Sequence, residues 1–546
     1  MIFRSTFNGA TSGDGLADLL IGRFSGLTDG NVISDYLRQT VMAAYVQDAF
    51  RPTSHLSINL GVRWEPSVPS YDKFGRGNQF SYPLFLQGWH SSEYPLAPAG
   101  LIFSGDKAQD PYGNAFTKAH WATFSPRLGM VWDPNGDGKQ TIRASFGLMH
   151  DTTELFYPER WTTNAPYVSS TQVATGVFSN PFASYPGGDP FPGVPGSVFP
   201  VGGAYISVPP NMKVTYMMQW NLSYQRQLAK DWMVTANYLG NVSRHIWGST
   251  DVNYSLYTGS TATTGNANQR RITYLLNPTQ GQYYGDIQQT DDGANSEYNG
   301  LLLKAEHRMS HNFTLLATYT WSHCVSTWDF AGELAGTIYQ NPLNRATGER
   351  GNCGFDHRQN FTTSMVFLSP GVGPGAARMI TRGWQVSPNA SLYTGNPIQL
   401  TSGKDVSLST QGLDRPTVIL PDQVYPAQQT PLEFFNPNAF TCAGPGTGTL
   451  GSVSGVNTGC AGNGVFGNLG RNAIYGPSKV NFDVALSRQF KFNERWKMEF
   501  RSDFFNILNH GNWSGIGSSV SSGTTFGQVT SFGSPRQIQL AMKFYF

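Results

Sequence analysis

Residues 536–546 read RQIQLAMKFYF. Ile538, Leu540, Met542, Phe544 and Phe546 take every second position, with Gln537, Gln539, Ala541, Lys543 and Tyr545 between them. Successive side chains of a strand point to opposite faces, so this strand has one apolar side and one mostly polar side. An apolar strand running to the last residue, with no turn or tail after it, suits a wall between lipid and water.

The same alternation recurs upstream. Leu56, Ile58, Leu60, Val62 and Trp64 share one face of 55–65, against Ser57, Asn59, Gly61, Arg63 and Glu65. Ile142, Ala144, Phe146 and Leu148 repeat it, as do Trp232, Val234, Ala236 and Tyr238. Further examples are Phe313 to Trp321, Phe482 to Leu486 and Trp496 to Phe504. Less regular candidates are 35–50, 126–133, 214–227, 297–308, 359–368 and 383–394. With the first residues and the last strand these make about fourteen strands, most near the ~9–11 residues a tilted membrane strand needs.

The connections separate a barrel from a sandwich. Short links (52–54, 134–139, 229–230, 310–311, 493–494, and the longer 369–381) alternate with long segments (66–125, 150–213, 244–296, 324–358, 396–479, 508–535). Outer-membrane barrels have short periplasmic turns and long extracellular loops. A last strand ending in the periplasm puts every short turn there. Trp132, Trp232, Trp384 and Trp496 flank short links, and Trp64, Trp220 and Trp321 flank long ones. Amphipathic rings settle at headgroup level, so these predict two interface girdles.

Composition agrees. Of the 546 residues, 13% are charged and 13% aromatic, with 61 Gly and 33 Pro. An ordinary soluble domain has ~25% charged residues. The mean hydropathy of −0.31 is compatible with a membrane, because alternation dilutes strand hydrophobicity. No apolar run approaches the ~18 residues of a spanning helix. A net charge of +2 carries no nucleic-acid signal. Met1-Ile2-Phe3-Arg4 leads into polar residues and Gly, so no secretory signal is read there.

No motif carries catalysis or a cofactor: G-x-S-x-G, H-E-x-x-H and the P-loop are missing. The expectation is a protein that is not an enzyme, with no catalytic, cofactor or metal residue. Asp133-Pro134-Asn135-Gly136-Asp137-Gly138 opens like a calcium loop, but the twelfth position, which should be Glu, is Ala144. A turn built on Asn-Gly and Asp-Gly is the better reading. Cys324 and Cys353 fall in one long segment, Cys442 and Cys460 in another, and loop disulfides are favoured over free thiols or metal. The histidines His245, His307, His311, His323, His357 and His510 fall at strand ends or in loops and read as hydrogen-bonded side chains. Arg63, Glu65, Arg143, Lys304, Glu306, Glu499, Arg501 and Asp503 sit on polar faces. A charge on the lipid face costs ~2–4 kcal/mol at mid-membrane, so these face the lumen, where they line a solute path or, as favoured, pair across strands.

From about Asp14 onward the chain resembles the β-barrel of TonB-dependent outer-membrane receptors, in particular the Oar-like group. The resemblance rests on the order of Gly15 to Gly22, Tyr45-Val46-Gln47-Asp48, Leu60 to Glu65, Ser125 to Gly129, Tyr238 to Asn241, Tyr319 to Ser322 and Phe355 to Arg358. It continues through Phe466 to Asn472, Gly476-Pro477 and Phe504 to His510. It implies an all-β, antiparallel transmembrane β-barrel of 22 strands, closed by an N-terminal plug, which imports an external ligand when TonB pulls on the plug. Only about fourteen of the ~22 strands are read here, and no plug, TonB box or signal. The expectation is therefore a single barrel domain, 1–546, truncated at its N-terminus. The partners implied are outer-membrane lipid, the barrel-assembly machinery that reads the terminal strand, the TonB complex through a plug not in this chain, and an unidentified extracellular ligand; nucleic acid is not among them. Two alternatives stay open: a passive fourteen-stranded porin-like channel, and a β-rich surface adhesion or binding protein.

Overall fold

A computed structural model describes residues 4–7, 11–30, 35–152, 155–168, 170–173, 176–183, 199–328, 339–342, 348–412, 414–442 and 464–546. One large sheet dominates it. Thirteen strands follow one another in chain order, each antiparallel to the next: β1 (Ala44–Thr53), β2 (Leu56–Trp64), β3 (Phe124–Trp132), β4 (Gln140–His150), β5 (Tyr216–Ala229), β6 (Trp232–Asp251), β7 (Tyr284–Ser310), β8 (Phe313–Ser326), β9 (Gln359–Leu368), β10 (Trp384–Tyr393), β11 (Lys479–Lys491), β12 (Lys497–Phe505) and β13 (Gln537–Tyr545). Two short strands from long loops bring the sheet to fifteen: Gly203–Ser207, parallel to β7, and Gly351–Asn352, beside β8.

Among the described residues the path holds thirteen strands, where about fourteen were expected. The first residues, expected in the wall, pair instead with Gly26–Gly30 in a separate three-stranded sheet. Three described residues, Arg4–Thr6, are too few to span a membrane. Among the described residues β1 and β13 each pair on one side only, so the sheet is open at both edges.

Register carries the alternation from strand to strand. Leu56, Trp132, Ile142, Tyr224, Ala236, Leu303, Tyr319, Phe361, Leu392 and Val480 lie in one continuous cross-strand row. On the opposite face Thr141, Gln225, Thr235, Lys304, Thr318, Thr362, Ser391 and Asn481 do the same. A register slip of one residue would exchange the faces, so the matching of so many strands is strongly specified.

The faces are inside-out relative to a water-soluble sheet. On β5, Leu222, Tyr224 and Leu228 are exposed while Asn221, Ser223, Gln225 and Gln227 are half-buried. Burial of apolar surface drives a soluble sheet the other way. The hydrophobic core proper lies in the loops. One cluster joins Phe80, Phe85, Leu101 and Phe103 of the β2–β3 loop to Phe199 and Tyr205 of the β4–β5 loop and to Tyr284 and Ile287 at the start of β7. Another joins Leu400, Phe434, Phe435 and Phe440 of the β10–β11 loop to Val520 and Phe526 of the β12–β13 loop. The long segments are therefore not open coils: they fold into a cap with aromatic cores.

Candidate functional site

The polar face of the sheet and the cap at its long-loop end are the two surfaces that can meet a solute. On the polar face the acids and bases pair along a strand: Arg63 with Glu65 at 2.7 Å, Lys304 with Glu306 at 2.8 Å, Arg501 with Asp503 at 2.8 Å. The expected cross-strand pairing is replaced by pairing between residues i and i+2. Those positions share a face, and long side chains lean along the strand. Glu499 accepts from the Tyr545 hydroxyl at 2.8 Å and stands opposite Lys543.

Arg127 is set differently. It lies in register between Gly61 and Gly147, so neither directly paired residue carries a side chain beside it. Gln47, Asn59, Ser145 and Gln219 share with it an open recess of about 450 Å³. Arg143 stands opposite Ser223 on the same face, four residues along β4 from Gly147.

The cap is sewn together by buried arginines. Arg415 and Glu349, both almost fully buried, pair at 2.7 Å, and Arg415 also donates to the carbonyls of Leu469 and Gly348 at 2.8 Å. Arg471 donates to the Glu349 carbonyl at 2.7 Å. The Cys324–Cys353 disulfide, with Cα atoms 5.4 Å apart, ties the outer end of β8 to the same loop. Cys442 is also disulfide-bonded and buried in an aromatic cluster; Cys460 lies outside the described residues.

A second junction surrounds Arg271, which reaches Asp286 at 2.5 Å, Asp251 at 3.4 Å and the Asn253 carbonyl at 2.8 Å. Its neighbour Arg270 donates to the Leu408 carbonyl at 2.9 Å, linking the β6–β7 loop to the β10–β11 loop. Burial pushes the Asp251 carboxyl upward, helped by the Asp286 charge and opposed by Arg271. Asp414, in the cap, is pushed up to about 6, mainly by burial.

These cap residues were not found from sequence. An arginine in a Gly- and Pro-rich loop looks like any solvated charge, and its partners lie far away in the chain. The Arg270-Arg271 pair was the one local signal. Trp64, Trp132, Trp220, Trp232, Trp321 and Trp384 all occupy the apolar parity of their strands, and Trp496 packs on Phe546 with ring centroids 5.8 Å apart. In the terminal strand Ile538, Leu540, Met542 and Phe544 face the same way as Phe504, Ser502, Phe500 and Met498 of β12 and are exposed. At 133–138, Asp133 accepts from the Gly136 and Gly138 N–H groups at 3.0 and 2.8 Å, and both glycines have φ of +70°. Asp133 thus caps a tight turn.

Residues 3–539 match the family model of the outer membrane beta barrel domain. The chain belongs to that family. The protein is thus one of the cell outer membrane of Gram-negative bacteria. No curated protein sequence matches it. Among solved structures it is similar to the outer membrane transporter YddB from Escherichia coli, at 8% identity and a TM-score of 0.45, over 95% of this chain and 54% of that one. It is also similar to the FrpB iron transporter from Neisseria meningitidis, at 9% identity and a TM-score of 0.40, over 95% and 45%. A third is BauA, the ferric preacinetobactin receptor from Acinetobacter baumannii, at 9% identity and a TM-score of 0.40, over 96% and 44%. The chain spans about half the length, or less, of these solved relatives.

Proposed function

We propose that the barrel domain is the larger part of an outer-membrane receptor and transporter of the TonB-dependent, Oar-like kind, which takes up an extracellular ligand. The observation that carries the reading is the two-edged, inside-out sheet beneath a folded cap. Backbone groups left unpaired in lipid cost several kcal/mol each, so a sheet with two free edges is not a finished membrane wall. Further strands beside β1 and β13 would complete the ~22-stranded barrel of plugged transporters. In this reading residues 1–546 are a single barrel domain truncated at its N-terminus, the short turns face the periplasm, and the cap receives the ligand outside. A plug elsewhere in the protein would couple to TonB.

The terminal strand, with Ile538, Leu540, Met542, Phe544 and Phe546 on one side, is the segment the barrel-assembly machinery would read. The seven tryptophans would form the two interface girdles, and Cys442 would pair with Cys460. The passive fourteen-stranded channel is less well supported, because the thirteen strands among the described residues, with their edges unpaired, enclose no pore unaided. The adhesion reading conflicts with an apolar outer face.

Planar-bilayer conductance tests the proposal. The assembled protein should stay closed, and an in-frame plug-coding segment should precede residue 1 in the gene. Steady ohmic current steps from the present chain alone would overturn the receptor reading in favour of the channel.

A further inference from the structure

The 369–383 connection between β9 and β10 is at the short-turn end, yet it folds into more than a turn. Its helix, Gly375–Thr381, is held in a clasp: the Thr381 hydroxyl accepts from the Val372 N–H and donates to the Ala377 carbonyl, both at 2.8 Å, and the Ser369 hydroxyl donates to the Thr381 carbonyl at 2.6 Å. What this clasp displays is apolar. Met379 is 76% exposed, Val372 69% and Ile380 66%.

Its position on the wall is set by Arg488. Arg488 lies in register between Trp384 and Phe500, in the lipid-facing parity of β11. Its guanidinium donates to the Ile380 and Met379 carbonyls at the end of the helix and lies over the rings of Trp384 and Phe490. The Trp384 indole N–H also donates to the Ile380 carbonyl, at 2.9 Å. The helix is thus folded against the lipid-facing side, with its apolar residues continuing the apolar band. Arg378 and Arg382 lie at its exposed rim and pair with no carboxylate among the described residues.

We propose that this connection is a phospholipid-binding element: Val372, Met379 and Ile380 enter the acyl boundary of the short-turn leaflet, and Arg378 and Arg382 hold phosphodiester headgroups. Apolar residues beside basic ones, on a helix lying along a membrane wall, are the pattern of an interfacial anchor. Guanidinium groups match phosphate geometry. Lipid is the occupant because the surface is continuous with the face already in lipid.

The test places an environment-sensitive fluorophore on Met379→Cys in the membrane-assembled protein, in vesicles of phosphatidylethanolamine and phosphatidylglycerol. Ser54→Cys in the short β1–β2 turn is the aqueous control. Phospholipids brominated on the acyl chains should quench the probe at 379 about twofold or more over the control. Equal quenching at the two positions overturns the proposal, as does a blue-shifted probe that bromine fails to quench, which signals cover by protein. In R378E/R382E the excess quenching at 379 should disappear; its persistence overturns the headgroup role. These side chains project from the wall, and heat-modifiable migration on electrophoresis verifies that each variant is folded.

Discussion

The wall and the cap of this molecule are stabilised by opposite rules. In the wall, thirteen strands hold one another by backbone hydrogen bonds, and the apolar side chains stay exposed. In the cap, the largest fully buried side chains (Phe85, Phe103, Phe434, Phe435 and Phe440 among them) pack on one another as in a soluble protein. In our reading the same residue types serve both because the solvent differs: lipid already satisfies an apolar surface, whereas water drives it into a core. A barrel strand needs only the correct alternation. A cap loop needs partners from distant parts of the chain.

This contrast can be broken deliberately. Loss of β13 should have the largest effect, because it removes the strand paired to β12 and, in our reading, the assembly signal. Outer-membrane fractions should then lack the protein, and Phe546→Ala should lower its level in the same assay. Phe435→Ala should cost the cap about 3–5 kcal/mol, the range for a buried Phe truncated in a core. Limited proteolysis should then cut the β10–β11 loop while the wall stays intact; equal loosening of both would show that they are one cooperative unit. Leu303→Arg, in the apolar row, should cost ~2–4 kcal/mol, whereas Ser391→Arg on the other face, opposite Thr362 and Asn481, should be nearly neutral. Denaturant unfolding of the membrane-assembled protein distinguishes the two, and equal costs would invalidate the assignment of faces.

The smallest expected effect concerns pH. Asp414 sits in the cap with its carboxyl pushed up to about 6 by burial, while in the unfolded chain it titrates near 3.9. The folded cap therefore holds more protons between these values, and its stability falls as pH rises through that window. Hydrogen-exchange protection factors in the 400–414 region, in which the base catalysis of exchange is divided out, should be higher at pH 5 than at pH 7.5. Asp414→Asn should flatten the difference, and an unchanged pH dependence in that variant would assign it to another group.

The wall was largely legible in the chain. Alternation located most of its strands to within a few residues, and the order of short and long links gave the two ends. The misreadings have local causes. The first residues looked like one more strand, but they pair in a small separate sheet. The charges of Arg63, Lys304 and Arg501 were expected to look sideways, yet their acids stand two residues along the same strand. The cap was illegible for a different reason. Arg415 and Glu349 are separated by 66 residues, and no periodicity links them.

Sequence alone determined the faces of the wall, because a period of two is a property of each strand before any partner is found. Only the tertiary structure decided how the long segments close into a cap, which arginines they bury, and that the helix at 375–381 lies against the apolar side of the wall. Those outcomes depend on contacts between residues distant in the chain, and such contacts leave no repeating mark in a single sequence.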